Sequence, residues 1–393
     1  MNKKETSAAL TILLGILIAL SALGTDLYVP ALPDVAAFYA APVSAAQLTL
    51  TTYFLGLALG QLGWGPLSDR YGRRPVLVAA LVLMLAVTAA APFMPSVAAL
   101  ATARFVQGLG MSGGVVVARS IVRDLHTQEQ AARLLARMMI VFSIVPIAAP
   151  MTGALLTSAG GWRAIFWTYA LAAAALLAAV LAGLRETAPA ERQSLHPMAI
   201  AAGFAGMLAE RRFVGPLLVV LACQLSILAW VASSSFTLAG MGVSVDAYGA
   251  MFAGVMLGQI AGAWLASRLV VALGMARLVR GGSWLVLVGG ALAAAFAWAG
   301  AAHWAAIVVP FAVLLFGTAL VMPNAIALAL SPFPHAAGSA SSLIGAIGFT
   351  AGALLSTILG ALFDGTPRPM ASAAALAGIA AFAFERLARH GSR

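Results

Sequence analysis

Charged side chains are scarce in this sequence. They make up 9% of the 393 residues, whereas hydrophobic residues make up 62%. A water-soluble domain carries charge on about a quarter of its residues, so this composition excludes a soluble globular protein. The sequence also contains a single cysteine, Cys223, which excludes a disulfide bond within the chain.

Long apolar stretches make up most of the sequence. A helix needs about 20 apolar residues to cross a hydrocarbon core of about 30 Å. Windows of this length predict twelve spans, at residues 10–32, 45–66, 75–94, 96–119, 134–158, 162–184, 213–238, 246–267, 276–299, 303–325, 337–362 and 370–388. The stretch 198–209 is too short to cross and predicts a helix in the membrane interface.

The basic residues show a strong bias toward one side of the membrane. If the N-terminus lies inside, all but three Lys and Arg residues fall in cytoplasmic segments, the exceptions being Arg104, Arg163 and Arg368. This positive-inside bias predicts that both termini are cytoplasmic. It also explains the net charge of +10 without nucleic acid, and we expect no nucleic-acid partner. The first apolar run exceeds the core of a signal peptide, so we expect it to be retained.

The longest charged stretch divides the predicted spans into two groups of six. It covers residues 185–212 and predicts a cytoplasmic linker. We therefore expect an N-terminal six-helix bundle over residues 1–184 and a C-terminal six-helix bundle over residues 213–393.

The two halves also resemble each other in sequence. When they are overlaid at an offset of 198 residues, Phe54 and Gln61 meet the identical Phe252 and Gln259. Such a duplication in parallel orientation is typical of transporters that bind their substrate between repeats.

A short polar segment joins the second and third spans. Its sequence, GPLSDRYGRR from Gly65 to Arg74, places one acid and three arginines between two apolar stretches. This pattern resembles the signature of the major facilitator superfamily. The resemblance extends over the whole chain and implies an all-α membrane protein with the major facilitator fold, in which twelve transmembrane helices form two six-helix bundles.

The same resemblance implies a conformational latch at the cytoplasmic surface, built around the carboxylate of Asp69. Exposed ion pairs are individually weak, so several must act together to bias a conformational equilibrium. The residues expected in the latch are Gly65, Asp69, Arg70, Gly72, Arg73, Arg74, Arg119, Arg123 and Asp124. The alternative is that these charges serve only topology and solubility.

Two further motifs resemble those of proton-coupled members of the superfamily. Residues 104–108 (RFVQG) are similar to the motif of proton-coupled transporters. Residues 149–153 (APMTG) resemble the antiporter motif. The antiporter motif prefers glycine where this chain has Val145, Ala149 and Ala154, and this departure weakens the inference of antiport.

Three segments resemble the Bcr/CflA family of drug exporters. They are TDLYVPALP at 25–33, ARSIVRD at 118–124 and GWRAIF at 161–166. The resemblance implies drug:proton antiport, with bicyclomycin, phenicols or similar compounds as substrates. We therefore expect a multi-pass protein of the bacterial inner membrane that uses the proton gradient and no cofactor. We also expect it to be a monomer, with the lipid bilayer, protons and a drug as its partners.

Asp26 is the one carboxylate that the predicted spans place inside the membrane. A charge near the bilayer centre costs about 2.5–3.5 kcal/mol on insertion scales, so burial favours the protonated acid. Such a group can take up a proton on one side and release it on the other, or pair with a cationic drug. The alternative is a buried acid that only fixes helix packing.

Proline residues interrupt the apolar pattern of two spans. We expect Pro30, Pro33, Pro146, Pro150 and Gly153 to bend the helices that contain them. Asp34, which follows the first bend, is expected to be a solvated helix terminus near the outer surface.

Arg104 is the one cation inside a predicted span, and Gln107 shares its helical face. An unpaired guanidinium would be costly there, so we expect backbone carbonyls, water or the first helix to provide acceptors. We expect Arg104 to adjust the proton affinity of Asp26. A direct salt bridge between the two is left open.

The substrate cavity is expected to be apolar with a few polar groups. The candidate substrate-binding residues are Asp26, Tyr28, Tyr53, Phe54, Gln61, Gln107, Met139, Phe142, Trp230, Phe236, Met256, Gln259 and Asn324.

A membrane enzyme is the main alternative class, but the sequence lacks its usual signs. The histidines are scattered among loops and helix ends, and no metal-ligand spacing, nucleophile elbow or phosphate-binding loop is present. Within transport, the alternative to drug export is a proton-coupled or facilitative transporter of a small metabolite.

Overall fold

The computed structural model describes residues 8–125, 128–188, 197–333 and 336–390, and these form α-helices and short 3₁₀ helices without a β-strand. The helices are α1 (Ala8–Asp26), α2 (Leu32–Phe38), α3 (Val43–Tyr71), α4 (Arg73–Ala90), α5 (Val97–Leu125), α6 (Gln128–Gly183), α7 (Pro197–Ala209), α8 (Arg211–Gly240), α9 (Val245–Leu273), α10 (Met275–Trp298), α11 (Ala305–Leu330), α12 (Ala337–Leu362) and α13 (Arg368–His390). The 3₁₀ helices cover Val29–Ala31 and Ala91–Phe93.

Eleven helical segments within the described ranges are long and apolar enough to cross a membrane. The count differs from the twelve predicted spans because α6 contains two of them. Its 56 residues would extend about 84 Å if straight, which is far more than one crossing requires. The two parts meet at Gly161, whose φ of 68° and ψ of 179° are not helical. Only glycine adopts this conformation without strain.

The short helix α7 coincides with the stretch that the sequence predicts to be interfacial. Its 13 residues extend about 20 Å, which is too short to cross the hydrocarbon core.

The first span is interrupted after Asp26, where the sequence predicts only a bend. Two turn residues follow, and then come the 3₁₀ helix with Pro30 and α2 with Pro33. Each proline lies in the first turn of its short helix, where an N–H group has no helical partner in any case. The prolines therefore start new helices after the break.

In α6 the prolines and the break lie at different places. Pro146 and Pro150 are inside the helix, whereas the non-helical torsion angles belong to Gly161. Gly153 has a packing role: a Cβ atom there would collide with the carbonyl oxygen of Leu27, just after the break in the first span.

The chain forms two compact units. One comprises Met1–Ala41 and Leu48–His196, and the other comprises Pro42–Gln47 and Pro197–Arg393. In the first unit, Gly108 of α5 lies against the backbone of Tyr53 of α3. In the second unit, a Cβ atom on Gly282 of α10 would lie 2.8 Å from the carbonyl oxygen of Gly317 of α11. Glycines thus bring helices into close contact within each unit, as is common in lipid.

The variant Gly108→Ala tests the contact between α3 and α5. The added methyl group would collide with the carbonyl oxygen of Tyr53, so we expect a loss of about 1–3 kcal/mol of stability and a lower yield of folded protein. Thermal unfolding of the purified protein measures the loss. Gly63→Ala is the matched control, since a Cβ atom on Gly63 meets nothing within 4 Å. Equal midpoints for the two variants would contradict the close contact.

Candidate functional site

Arg104 is completely buried on α5. Its Nη2 donates a hydrogen bond of 2.8 Å to the carbonyl oxygen of Gly24, and its Nη1 donates to the side-chain oxygen of Gln107. The guanidinium carbon lies 4.3 Å from the ring centre of Tyr28 and 4.2 Å from that of Tyr53. The Nε atom has no hydrogen-bond partner among the described residues. The guanidinium is thus stacked on two aromatic rings and hydrogen-bonded in two directions, which compensates for part of its lost hydration.

The break in the first span explains why Arg104 bonds to Gly24. If α1 continued, the N–H of Tyr28 would bond to Gly24, but it bonds to the carbonyl oxygen of Thr25 instead. The carbonyl of Gly24 is therefore left without a helical partner inside the protein. Arg104 supplies that partner, and its positive charge lies at the negative end of the helix dipole.

Two tyrosines donate to neighbouring carbonyls of the same helix turn. The hydroxyl of Tyr53 donates to Ser21 at 2.9 Å, and that of Tyr169 donates to Leu23 at 2.8 Å. The last turn of α1 is thereby tied to α3, α5 and α6. Sequence reasoning missed Tyr169, and the only signal available was a tyrosine within an apolar span.

Two threonines that the sequence analysis did not select hold Gln107 and Tyr28. The side-chain amide of Gln107 donates to the hydroxyl of Thr88 at 2.9 Å. The hydroxyls of Tyr28 and Thr49 are also 2.9 Å apart. These bonds fix the side chains around Arg104.

Asp26 is the last residue of α1, lies within the candidate span Ala9–Phe38 and is 8% exposed. No hydrogen bond or ion pair to its carboxylate is found among the described residues, and in particular none to Arg104. It is close enough to Tyr53 and Tyr169 to interact electrostatically.

The first unit therefore groups five of the predicted residues around the break, namely Asp26, Tyr28, Tyr53, Arg104 and Gln107. Phe54 and Gln61 are also buried on α3, but no described contact joins them to Arg104. The side chains of Met139 and Phe142 lie outside the described residues.

The second unit contains a buried aromatic cluster around Trp230 of α8. The ring centre of Trp230 lies 5.8 Å from that of Phe252 and 5.0 Å from that of Phe311. The hydroxyls of Ser234 and Tyr248 are 2.8 Å apart, and the ring centres of Tyr248 and Phe252 are 5.9 Å apart. The indole N–H of Trp230 has no acceptor among the described residues.

The other predicted residues of this unit are separate from the cluster. Phe236 is buried and packs against Phe363, and the side-chain amide of Asn324 donates to the carbonyl of Leu320. Met256 is buried, whereas Gln259 is half-buried.

Arg73 is the centre of a charged cluster at the turn between α3 and α4. Its Nε donates to the carboxylate of Asp124 at 2.8 Å, and its Nη1 donates to Ser68 at 2.8 Å and to Asp69. Gly72 makes the turn with a φ of 103°, which only glycine adopts readily. Among the predicted latch residues, the structure thus brings Asp69, Gly72, Arg73 and Asp124 together.

Glu186, which follows α6, was missed by sequence reasoning and belongs to the same cluster. Its carboxylate accepts hydrogen bonds from the backbone N–H groups of Arg73 at 2.8 Å and of Arg74 at 3.2 Å. It therefore caps the N-terminal end of α4, where the helix dipole favours negative charge. Desolvation alone would raise the pKa of Glu186, but the backbone N–H groups of Ala188, Arg73, Thr187 and Arg74 together hold that pKa below its ordinary value. The sequence did contain a sign that an acid from elsewhere caps this helix, since α4 begins with two arginines and has no acidic residue in its first turn.

The remaining latch residues surround this cluster without a described bond to Arg73. Arg74 donates to the carbonyl of Leu181 at 2.9 Å, and Arg123 donates to Ser120 at 3.2 Å. Arg70 and Arg119 are exposed, and Gly65 is half-buried on α3.

Comparison with known proteins agrees with this architecture. Residues 14–357 match the Major Facilitator Superfamily. The chain belongs to the major facilitator superfamily. The predicted fold class, an all-α membrane protein with the major facilitator fold, is therefore confirmed.

Two relatives of this superfamily member are bacterial resistance proteins. The Bicyclomycin resistance protein homolog of Haemophilus influenzae is 29% identical over 380 residues, which cover 94% of this chain and 93% of the relative. Multidrug resistance protein D of Escherichia coli is 28% identical over 348 residues, which cover 88% of this chain and 86% of the relative. Their names agree with the resemblance to the Bcr/CflA family.

A solved structure shows the same fold at low sequence identity. The crystal structure of a D-xylose-proton symporter superposes with a TM-score of 0.72 and 17% identity, and covers 96% of this chain and 98% of the symporter. At this identity the likeness concerns the fold alone.

The variant Glu186→Gln tests the cap on α4. Folding lowers the pKa of Glu186, so its carboxylate stabilises the folded protein fully at pH values above 4.5, the ordinary pKa of a glutamate. This stabilisation is lost as the pH falls through the lower pKa that Glu186 has in the folded protein. We expect the variant to unfold a few degrees below the wild type at pH 7, with the difference shrinking below about pH 4.5. Thermal unfolding across this pH range measures both effects.

Glu210→Gln is the control for this experiment, because the carboxylate of Glu210 accepts from one described backbone N–H, that of Arg212. It should cost less stability than Glu186→Gln. A difference between wild type and Glu186→Gln that does not change with pH would contradict the role assigned to the charge.

Proposed function

We propose that this protein exports lipophilic antibiotics or drugs, phenicol- or bicyclomycin-like, in exchange for protons by alternating access. The names of the relatives support drug export, since one is a bicyclomycin resistance protein homolog and another is a multidrug resistance protein. Membership of the major facilitator superfamily supports a secondary transporter driven by an ion gradient. We do not propose an enzyme activity, because the same membership supports transport.

The observation that carries the proton coupling is the position of Asp26. The carboxylate lies inside a candidate span at the C-terminal end of α1, and no described donor bonds to it. A buried carboxylate without a bonded donor is a candidate for taking up and releasing a proton within the membrane. A carboxylate that forms no ion pair can change its protonation state during a transport cycle, whereas a carboxylate in a permanent ion pair with Arg104 would stay ionised.

Arg104 serves a separate purpose in this proposal. Because the guanidinium satisfies Gly24 and Gln107, it keeps the break in the first span open. The break places Asp26 at a helix end instead of inside a continuous helix. We further propose that the fixed positive charge of Arg104 adjusts the proton affinity of Asp26.

The proposed cycle exchanges drug and proton at Asp26. Drug binds while the carboxylate is ionised and the protein is open to the cytoplasm or inner leaflet, and protonation from the outside releases the drug. Return of the protonated form delivers the proton to the cytoplasm. The membrane potential contributes about 2.3 kcal/mol per charge for each 100 mV, and the pH gradient contributes the rest.

The location, topology and partners of the protein are also proposed. It is a multi-pass membrane protein, and we place it in the bacterial inner membrane with both termini in the cytoplasm. We further propose that it acts as a monomer, uses no cofactor or metal, and binds no nucleic acid. The linker between its six-helix bundles is proposed at residues 185–212, and the cluster of Asp69, Arg73 and Asp124 is proposed as part of the conformational latch.

Transport of a small polar metabolite is the second candidate. It is favoured by the hydroxyl side chains that α8 buries, among which Ser235 and Thr237 have no hydrogen-bond partner within the described residues. Such hydroxyls would suit a polar substrate. A resistance panel separates the two functions, since only a drug exporter raises the inhibitory concentration of several unrelated antibiotics.

The variant Asp26→Asn tests proton coupling. We expect it to insert normally but to lose at least about tenfold of its proton-driven efflux, because an amide takes up no proton in this range. Efflux of chloramphenicol and bicyclomycin from an efflux-deficient bacterium, with and without collapse of the proton gradient, measures the effect. Asp246→Asn makes the same change at an exposed acid of α9 and should transport like the wild type. Full proton-driven efflux by Asp26→Asn would refute the coupling role.

The variant Arg104→Lys tests the role of the guanidinium. A lysine keeps the charge but cannot hold Gly24 and Gln107 while stacking on both tyrosines, so we expect transport to fall about tenfold or more. Drug transport in proteoliposomes of defined pH gradient measures the loss. Arg277→Lys, at an exposed position of α10, is the control. Wild-type rates in Arg104→Lys would show that positive charge alone is sufficient.

A further inference from the structure

A surface pocket lies at the end of the first unit opposite the Gly72 turn. Its volume is about 550 Å³, and it is lined by Phe38, Tyr39, Pro92, Phe93, Met94, Pro95 and Arg163. These residues come from the end of α2, the segment after α4, and the part of α6 that follows Gly161. Since α3 (Val43–Tyr71) separates this end from Gly72, the pocket lies where helices end, at the level of the membrane–water interface.

The walls of the pocket are fixed by hydrogen bonds between these segments. The hydroxyl of Tyr39 donates to the carbonyl of Met94 at 2.7 Å, and the Nε of Arg163 donates to the carbonyl of Pro92 at 2.9 Å. The carboxylate of Asp34 accepts a bond of 2.9 Å from the backbone N–H of Trp162. Asp34 is therefore half-buried and bonded within the protein, where the sequence predicts a solvated terminus.

Arg163 is held in place with part of its guanidinium unused. Its guanidinium carbon lies 4.1 Å from the ring centre of Phe38 and 4.6 Å from that of Trp162. Nε is the guanidinium atom with a described acceptor, and no ion pair joins Arg163 to Asp34 within the described residues. Arg163 thus lines the pocket with two terminal nitrogens that have no described acceptor, and none of the lining residues is acidic.

The surroundings of the pocket are those of an interfacial site. Phe93 is 73% exposed, and its ring centre lies 5.7 Å from that of Trp167, which is also exposed. Exposed aromatic side chains are enriched at the level of lipid headgroups. A planar guanidinium pairs with two oxygens of a phosphate at once, and the apolar rims can contact the glycerol and upper acyl chains.

We propose that this pocket binds the phosphodiester of an anionic glycerophospholipid, with the terminal nitrogens of Arg163 donating to two phosphate oxygens. An anionic headgroup suits the site better than a zwitterionic one, which would bring an ammonium group next to the guanidinium. The site is separate from the buried cluster around Arg104, and its occupation does not depend on the transport function.

Native mass spectrometry of the purified protein tests the proposal. Phosphatidylglycerol and phosphatidylcholine with identical acyl chains are titrated separately, and the bound fraction is counted. We expect the wild type to bind phosphatidylglycerol more tightly than phosphatidylcholine, and Arg163→Gln to weaken phosphatidylglycerol binding by about tenfold or more. Arg163→Lys should show an intermediate loss, because the charge is kept and the paired donors are not. Arg368→Gln is the matched control, since Arg368 lies over Trp298 but not in the pocket.

Each other outcome overturns the proposal. Equal binding of phosphatidylglycerol to wild type and Arg163→Gln removes Arg163 from the site, and equal binding of both lipids removes the preference for an anionic headgroup. If inorganic phosphate or glycerol 3-phosphate raises the thermal midpoint as much as the lipid does, the site binds a free anion. If a transported drug displaces the lipid, the pocket belongs to the transport path.

A second variant covers the case in which Arg163→Gln does not fold. Phe93→Ala leaves Arg163 and its bond to Pro92 in place but removes an exposed apolar wall of the pocket. We expect a several-fold weaker binding of phosphatidylglycerol with an unchanged thermal midpoint of the lipid-free protein. Unchanged lipid binding in Phe93→Ala would overturn the lipid assignment.

Discussion

The need to satisfy backbone carbonyls inside a membrane underlies the arrangement of the first unit. A helix that ends in a hydrocarbon environment leaves carbonyl oxygens without water to bond to. In the last turn of α1 the carbonyl of Gly24 has no helical partner, and Arg104 of α5 donates to it. Tyr53 and Tyr169 add hydrogen bonds to the carbonyls of Ser21 and Leu23, which also accept bonds within the first span. The break after Asp26 places a carboxylate at a helix end.

A single arginine also organises the turn at Gly72. Arg73 joins α3 to α5 through Asp69 and Asp124, while its backbone N–H bonds to Glu186 from the end of α6. Three segments that are distant in sequence, around residues 69–73, 124 and 186, therefore meet at Arg73.

The sequence predicted the positions of the spans well and the contacts between them less well. Apolar windows located the helices, and where the count differed the reason was local, since Gly161 joins two predicted spans in α6. Asp26, Arg104 and Gln107 were found because a charge or an amide is unusual in an apolar span. Tyr169 and Glu186 were missed because their partners lie far away in sequence: Tyr169 bonds to a residue 146 positions earlier, and Glu186 to one 113 positions earlier.

The sequence by itself determined a multi-pass helical membrane protein of the major facilitator superfamily, since the length of apolar runs and the Gly65–Arg74 motif depend on local order alone. The tertiary structure decided which carbonyls the buried side chains satisfy, where the first span breaks, and that the carboxylate of Asp34 accepts a hydrogen bond from the backbone of Trp162. The physical reason is that a hydrogen bond is fixed by distance and direction between groups, and the chain order leaves both undetermined until the helices pack.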